Sequence, residues 1–230
     1  MSDPTYADFA KMLDHSLLQP VLTDDDLERG CLLAREYDVA SVCIKPYAVP
    51  RAAELLAGST VAVGTTIGFP HGGHLTAIKV AEAQAAMADG ACELDMVVNI
   101  GKVLSRDWAF VAGDIRAVVE VAHRGGAIVK VIFENCFLSD EHKEQLCRIC
   151  GEVGADFVKT STGYGDSGAT DADLRLMRRC SPPRVQVKAA GGVRTFERLR
   201  AVRELGVTRV GATATKAILD ECRLQLGDNR

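Results

Sequence analysis

The stretch "GADFVKTSTGYGDSGAT" (154–170) carries a lysine at the end of a short apolar run. The residues before Lys159 predict a buried strand, and the small and glycine residues after it predict a loop. Lysine is among the residues least often buried unless it is paired or used in chemistry. A lysine in this position therefore indicates either an ion-pair partner inside the fold or a reactive amine.

Similar apolar runs recur along the chain and alternate with longer stretches of helical periodicity. The eight predicted strands cover residues 15–18, 41–45, 60–68, 93–99, 127–134, 156–161, 184–190 and 208–213. The predicted helices between them include residues 23–37, 75–90, 108–123 and 139–154. This alternation predicts a parallel α/β sheet with helical crossovers. Eight such units without a linker between them predict one domain, a (β/α)₈ TIM barrel that spans residues 1–230. Because the pattern of the first strand is weak, an open doubly wound sheet is the alternative.

The composition points to an ordinary globular protein, with 47% hydrophobic and 25% charged residues. A formal net charge of -4 disfavours nucleic acid as a partner. No apolar run is long enough to cross a bilayer, and the first ten residues lack the order of a signal peptide. We therefore expect a cytoplasmic protein with neither nucleic-acid nor membrane partners.

The cysteines and histidines give weak signals for metal or redox chemistry. The eight cysteines are scattered, so reduced thiols are expected, although Cys147 and Cys150 form a CxxC. His71 and His74 are spaced like a ligand pair, but no further ligands stand at useful spacing. We expect no metal and no other cofactor. His15 is interpreted as a local hydrogen-bond partner.

Charged residues fall on consecutive predicted strands, where a barrel carries its chemistry. Asp95, Lys130, Lys159 and Lys188 lie on strands four to seven, and Asp14 is expected just before strand one. An amine attacks a carbonyl only when it is neutral, and both burial and a second ammonium favour that form. Adjacent parallel strands lie about 4.8 Å apart. Lys159 is thus predicted as the nucleophile, Lys188 as the residue that lowers its pKa and Asp95 as a proton carrier, with a purely structural ion-pair network as the alternative.

Glycine-rich segments follow strands six, seven and eight. They are "STGYG" (161–165), "AAGGVRT" (189–195) and "VGATATKA" (210–217). Barrels that bind sugar phosphates commonly hold the phosphate on backbone N–H groups in the last two of these loops. The sequence therefore predicts a phosphate cradle beside Lys159.

Several motifs together resemble one enzyme family. They are "DHSLLQP", "GFP", "ELDMVVNIG", "KVIFENC", "DFVKTSTGYG", "VKAAGGVRT" and "GAT". In this order along nearly the whole chain they are similar to the deoxyribose-phosphate aldolase family, class I aldolases on a (β/α)₈ barrel. The resemblance implies an aldehyde lyase that reversibly cleaves 2-deoxy-D-ribose 5-phosphate to acetaldehyde and D-glyceraldehyde 3-phosphate. Such an enzyme takes part in deoxyribose phosphate catabolism and carbohydrate degradation.

The resemblance also implies residue roles and partners. Lys159 matches the Schiff-base lysine, Lys188 the lysine that tunes it and Asp95 the aspartate of proton transfer. The implied substrate-binding residues are Asp14, Lys130, Thr160, Gly163, Gly191, Gly192, Gly211 and Thr213. The implied partners are small aldehydes and sugar phosphates, together with a homodimer or higher homo-oligomer.

Some positions depart from the family pattern. Asn135 stands where many members have threonine, and Gln19 where many have lysine. In the loop after strand eight, Thr213 and Ala214 replace a common serine pair, so one hydroxyl is lost. This loss keeps open a related Schiff-base aldolase with a different or non-phosphorylated aldehyde substrate. A barrel that binds sugar phosphates without turnover is the third alternative, although such a protein gains nothing from a neutral amine.

Overall fold

The computed structural model describes residues 3–227, which form a closed eight-stranded parallel barrel in sequence order. The strands are β1 Leu13–Leu17, β2 Ser41–Ile44, β3 Ala62–Ile67, β4 Glu93–Val97, β5 Ile128–Ile132, β6 Phe157–Lys159, β7 Gln186–Ala190 and β8 Arg209–Ala212. Pairing of β1 with β8 closes the sheet and rules out the doubly wound alternative. The (β/α)₈ prediction is confirmed, while the outermost residues of its range, 1–2 and 228–230, lie outside the described residues.

Helices cover the outside of the barrel. Within residues 3–227 the α-helices are α1 Tyr6–Ala10, α2 Asp24–Glu36, α3 Val49–Leu56, α4 Thr76–Ala88, α5 Ile100–Leu104, α6 Trp108–Arg124, α7 Asp140–Val153, α8 Asp171–Cys180, α9 Phe196–Glu204 and α10 Thr215–Leu226. Short 3₁₀ turns span Pro46–Ala48 and Asn135–Phe137. None of these described helices is both long enough and apolar enough to span a membrane.

Side-chain capping sets where several helices begin. Thr23 accepts a hydrogen bond from the Asp26 amide, and the Asp26 side chain accepts from the Thr23 amide, which completes a capping box at α2. Thr195 caps α9 by accepting from the Arg198 amide. At the other end of α7, Gly154 is the C-cap with φ +82°, a conformation that glycine adopts without strain. These local signals explain why the helix boundaries follow from the sequence.

The first strand differs from its prediction. It begins at Leu13 rather than at residue 15, because Leu13 pairs with Val210 and Asp14 pairs with Gly211 of β8. Asp14 therefore lies inside β1 rather than before it. Its side chain is thereby carried into the barrel with those of the other strands.

Alternation along each strand separates the core from the site. In β4, Leu94 and Met96 are fully buried hydrophobic core residues, whereas Asp95 between them reaches other charged side chains across the barrel. Successive side chains of a strand point to opposite faces of the sheet. The apolar positions therefore pack under the helices, each contributing about 1.5–3 kcal/mol on full burial. The intervening charged positions converge inside the barrel.

Candidate active site

Lys159 and Lys188 occupy neighbouring positions at the centre of the barrel. They are register partners on β6 and β7. The Nζ atom of each lysine donates to Oδ2 of Asp95 on β4, at 2.6 Å in both cases. The three residues predicted as catalytic thus meet at one carboxylate oxygen.

The three side chains differ in their access to solvent. Asp95 and Lys188 are 0% and 1% exposed, and Lys159 is 3% exposed. Lys159 lines a cavity of about 250 Å³ at the carboxyl end of the barrel, whereas Asp95 and Lys188 do not line it. Of these three residues, Lys159 is the one within reach of a molecule in the cavity.

Burial and neighbouring charges shift the two lysine pKa values in opposite directions. Burial is the main cause that lowers the pKa of Lys159; the Asp95 carboxylate opposes it, and the Lys188 ammonium adds to it. Burial also acts to lower the pKa of Lys188, but the carboxylates of Asp14 and Asp95 outweigh it and raise that pKa. Lys159 is therefore the amine that loses its proton more readily.

The Asp95 carboxylate stays ionised among these amines. Its burial alone would raise its pKa, yet the charges of Lys130, Lys159 and Lys188 hold the pKa well below the usual value for aspartate. The two carboxylate oxygens of Asp95 bind different lysines. Oδ1 accepts from Lys130 at 3.0 Å, and Oδ2 accepts from Lys159 and Lys188. Asp95 therefore links all three lysines.

Asp14 and Lys130 lie deeper in the barrel than the cavity. Lys130 Nζ contacts Oε2 of Glu93 at 2.6 Å and Oδ2 of Asp14 at 3.2 Å. Asp14 Oδ2 in turn lies 2.5 Å from Lys188 Nζ. Both Asp14 and Lys130 are 0% exposed, and neither lines the cavity. Their predicted substrate contact stays a prediction, while in the structure they contact other charged groups and Asp14 also accepts from the Ser41 hydroxyl at 2.8 Å.

The other predicted substrate-binding residues divide into two groups. Five of them line the cavity: Gly163, Gly191, Gly192, Gly211 and Thr213. Thr160 instead accepts from the Ala190 amide and donates to the Ala190 carbonyl, at 3.0 and 3.2 Å, so that it ties β6 to β7. Thr160 does not line the cavity, and its substrate contact also stays a prediction.

Glycine is required where the loops after β6 and β7 touch. A Cβ built on Gly168 would lie 2.5 Å from the Gly191 carbonyl carbon, and one on Gly191 would lie 2.8 Å from the Gly168 Cα. Gly191 also has φ +82°, which L side chains rarely adopt. The Ala169 amide donates to the Gly191 carbonyl at 3.0 Å. This contact holds the two loops together at one side of the cavity.

The cavity is also lined by two residues for which the sequence predicts no individual role. Arg194 and Tyr164 both line it and come from the same glycine-rich segments. The Tyr164 hydroxyl donates to the Leu18 carbonyl at 2.8 Å, and its ring packs edge-on against Phe69. The loop after β6 thus reaches across to the loops after β1 and β3. An arginine within a glycine-rich loop, as in "GGVRT", is a sequence pattern that can indicate an anion site. The contacts of Tyr164, by contrast, depend on the tertiary structure.

Glu134 supports the loop after β6 through hydrogen bonds to Thr162. It is buried, has a left-handed backbone with φ +58°, and accepts hydrogen bonds from the Thr162 amide and the Thr162 hydroxyl. A non-glycine residue at positive φ is uncommon and costs conformational energy. The carboxylate is therefore aimed at Thr162 by an unusual backbone, which no sequence motif indicated.

The remaining candidate ligands do not line the cavity. His71 and His74 are exposed, and within residues 3–227 no three His, Cys, Asp or Glu side chains form a group able to hold a metal. Cys147 and Cys150 are buried thiols in α7, and burial raises the pKa of Cys147 to about 12.

His15 is a hydrogen-bond partner, as predicted, but the prediction that its partner is local is wrong. Its Nδ1 lies 2.8 Å from the hydroxyl of Thr215, which is 200 positions away at the start of α10. Because β1 and β8 are neighbours in the closed barrel, the helix that follows β8 is brought against β1.

Comparisons with known proteins agree with this geometry. Residues 9–215 match the family model described as DeoC/LacD family aldolase. A deoxyribose-phosphate aldolase from Rhodopirellula baltica is 58% identical over 99% of this chain and 94% of its own length. One from Thermococcus gammatolerans is 47% identical, covering 94% of this chain and 97% of its own.

Solved structures give the same result. An aldolase designated QR15 superposes with a TM-score of 0.91 at 34% identity, covering 97% of this chain and 99% of its own. A tetrameric deoxyribose phosphate aldolase from Aeropyrum pernix superposes with a TM-score of 0.88 at 28% identity, covering 96% and 92%. With the family model spanning most of the chain and this level of identity, the chain belongs to the DeoC/LacD family of aldolases.

Proposed function

We propose that this aldolase reversibly cleaves 2-deoxy-D-ribose 5-phosphate to acetaldehyde and D-glyceraldehyde 3-phosphate through a Schiff base on Lys159. The observation that carries the proposal is one buried amine at the cavity floor, with its pKa lowered, beside a second amine whose pKa is raised. The curated relatives from Rhodopirellula baltica and Thermococcus gammatolerans carry the name of this activity.

The reaction begins with the neutral amine. Lys159 Nζ attacks C1 of the open-chain sugar and forms a carbinolamine, which loses water to give a positively charged iminium. Loss of water needs a proton donor at the hydroxyl. Lys188 is protonated and shares Oδ2 of Asp95 with Lys159, so a proton can pass between the two amines through that carboxylate.

The iminium then acts as the electron sink for cleavage. Removal of the proton from the C3 hydroxyl lets the C2–C3 bond break, releasing D-glyceraldehyde 3-phosphate and leaving an enamine on Lys159. Protonation of the enamine carbon regenerates an iminium, and its hydrolysis frees acetaldehyde and the amine. We assign these proton transfers to the Asp95 and Lys188 pair.

The phosphate is proposed to bind at the glycine-rich side of the cavity. Gly191 and Gly192 leave backbone N–H groups uncovered by side chains, and Arg194 supplies a positive charge on the same loop. Thr213 stands two residues before α10, a twelve-residue helix whose N-terminus favours an anion. These features offset the single hydroxyl lost in the loop after β8.

We also propose a homo-oligomer in the cytoplasm. The similar protein from Aeropyrum pernix is tetrameric. The buried thiols of Cys31, Cys43, Cys147 and Cys150 suit a reducing compartment. Sedimentation equilibrium of the full chain tests the assembly, and a monomer at all concentrations would contradict it.

The decisive experiment is borohydride reduction in the presence of acetaldehyde, followed by peptide mass analysis. A stable two-carbon adduct on Lys159 is expected, and it is lost in Lys159→Met. The matched control is Lys79→Met, which removes another fully buried lysine, one paired with Asp114 between α4 and α6. That variant keeps the adduct. An adduct on Lys188 instead, or none in the unmodified chain, overturns the proposal.

A second candidate is a related aldolase with little dependence on phosphate. Ala214 in the loop after β8 favours it, because the hydroxyl expected there is absent. Turnover of 2-deoxy-D-ribose with and without its 5-phosphate separates the two. Equal kcat/KM for both sugars would support the second candidate.

A further inference from the structure

Six charged side chains beneath Lys159 form a closed ring in which the sign of the charge alternates. The six contacts in order are Asp14 to Lys188 at 2.5 Å, Lys188 to Asp95 at 2.6 Å, Asp95 to Lys130 at 3.0 Å, Lys130 to Glu93 at 2.6 Å, Glu93 to Arg209 at 2.5 Å and Arg209 to Asp14 at 2.6 Å. These residues are called the charge ring below. It draws on five strands, β1, β4, β5, β7 and β8.

The charge ring is electrically balanced without Lys159. Its three carboxylates match its three cations, and Lys159 is attached as a seventh group through Oδ2 of Asp95. A proton on Lys159 would therefore leave one uncompensated positive charge in a buried cluster. Burying an unpaired charge is strongly unfavourable, so a balanced ring favours the neutral amine.

Glu93 and Arg209 lie on the far side of the ring from Lys159. Neither lines the cavity, and each reaches Asp95 only through other members of the ring. Arg209 is held by the Asp14 carboxylate, by the Ser41 hydroxyl at 3.2 Å and by the ring of Phe157. Glu93 and Arg209 can therefore influence the charge balance around Asp95 and Lys159, but they do not lie where they would contact a substrate in the cavity.

The other strands add no charge that would upset this balance. On β2, the Cys43 thiol lies 3.9 Å from Oδ2 of Asp95, and burial raises the pKa of that thiol to about 11, so it stays neutral. Strand β3 carries no titratable side chain within its range, and its residue paired with Asp95 is the neutral Thr66. On β6 the titratable group is Lys159 itself.

We propose that Glu93 and Arg209 are positioning residues that keep the charge ring neutral and thereby keep Lys159 available as a neutral amine. This inference rests on the proposed function, in which Lys159 is the nucleophile. It adds to the site a pair of positioning residues outside the cavity that act through Asp14, Lys130, Lys188 and Asp95.

The test is the pH dependence of borohydride trapping on Lys159 with acetaldehyde, and of kcat/KM, in two variants of opposite charge. Arg209→Met removes a positive charge and therefore favours the protonated form of Lys159. The acid limb of both profiles, where the rate falls because Lys159 becomes protonated, moves to higher pH. Glu93→Gln removes a negative charge and moves the limb to lower pH. Each shift is expected to be about one pH unit, or about tenfold in rate on the acid limb.

Two further variants separate charge from structure. Arg209→Lys keeps the charge and is expected to retain the profile of the unmodified chain, and the Glu93→Gln/Arg209→Met double variant restores a net charge of zero and returns the profile toward it. If a single variant does not fold, the double variant decides. A shift of one full pH unit in the acid limb of the double variant, relative to the unmodified chain, overturns the inference.

The inference and the proposed function fail differently. Shifts of both single variants in the same direction, or no shift while the Lys159 adduct still forms, overturn the role of the charge ring alone. Absence of the adduct in the unmodified chain overturns the proposed function.

Discussion

Lys159 and Lys188 are register partners on adjacent strands and donate to the same oxygen of Asp95, yet their pKa values move in opposite directions. The difference lies in the second neighbour. Lys188 has the Asp14 carboxylate 2.5 Å away, whereas Lys159 faces the cavity. The additional carboxylate of Asp14 thus makes the two lysines differ. Lys188 stays a protonated ammonium, whereas Lys159 is the amine that loses its proton more readily.

Replacing Asp95 by asparagine should impair both chemistry and stability. Asp95→Asn keeps the shape but leaves three lysines without their shared carboxylate, so kcat should fall by about 10²–10⁴-fold. Breaking a buried ion pair costs about 3–5 kcal/mol in the free energy of unfolding. Steady-state kinetics and urea unfolding measure the two effects.

The matched control is Asp114→Asn. Asp114 pairs with the fully buried Lys79 at 2.7 Å outside the site, so this variant should lose comparable stability while its kcat stays near that of the unmodified chain. A similar fall in kcat for both variants would show that Asp95 acts through stability alone.

Arg194→Gln should weaken binding of the phosphorylated sugar selectively. Arg194 is exposed on the rim of the cavity, beside the glycines of the loop after β7. Loss of a charged hydrogen bond of about 1.5–3 kcal/mol would raise KM for 2-deoxy-D-ribose 5-phosphate by about 10–100-fold. The KM for unphosphorylated deoxyribose should not change, nor should either value in Arg29→Gln, a change on the exposed surface of α2. An equal rise for both sugars would remove Arg194 from the phosphate site.

Gly191→Ala should disturb the contact between the loops after β6 and β7. The new Cβ would lie 2.8 Å from the Gly168 Cα and would also occupy a left-handed backbone conformation. Gly58→Ala separates the two effects, since Gly58 has φ +73° with nothing within 4 Å of the added Cβ. Both variants should lose about 1 kcal/mol of stability from the backbone alone. Gly191→Ala should in addition raise KM for the phosphorylated substrate, and equal kinetics in the two variants would argue against a role for the loop contact.

His15 should make stability fall in mild acid. Burial lowers the pKa of His15 from 6.5 to about 4, so the unfolded chain binds a proton that the folded chain excludes. The resulting stability is present above the unfolded pKa and is lost as the pH falls toward the folded value. The full contribution is about 3 kcal/mol.

His15→Gln should flatten this part of the curve. Urea unfolding between about pH 7 and about pH 4 measures the slope, and the exposed His71→Gln serves as control. An unchanged slope in His15→Gln would assign the acid sensitivity to other groups, such as the carboxylates of the charge ring.

Much of the fold follows from local patterns. Strands β2 to β8, and helices α2, α4, α6 and α7, lie where the sequence predicts them, because apolar periodicity and capping residues such as Thr23 and Ser139 act over a few neighbouring positions. The sequence analysis predicted neither the true start of β1 nor helices α1, α3, α5 and α8. The extent of β1 depends on pairing with β8, which lies almost 200 positions away.

The site divides in the same way. The sequence by itself determined the residue types on consecutive strands, and their alternation carried Lys159, Lys188 and Asp95 to the inside of the barrel. Only the tertiary structure decided that Glu93 and Arg209 complete a neutral ring beneath them, and that His15 bonds to Thr215. Local periodicity sets which face a side chain occupies, but closure of the barrel sets which charges meet across it, and the free energy of a buried charge depends on its partners.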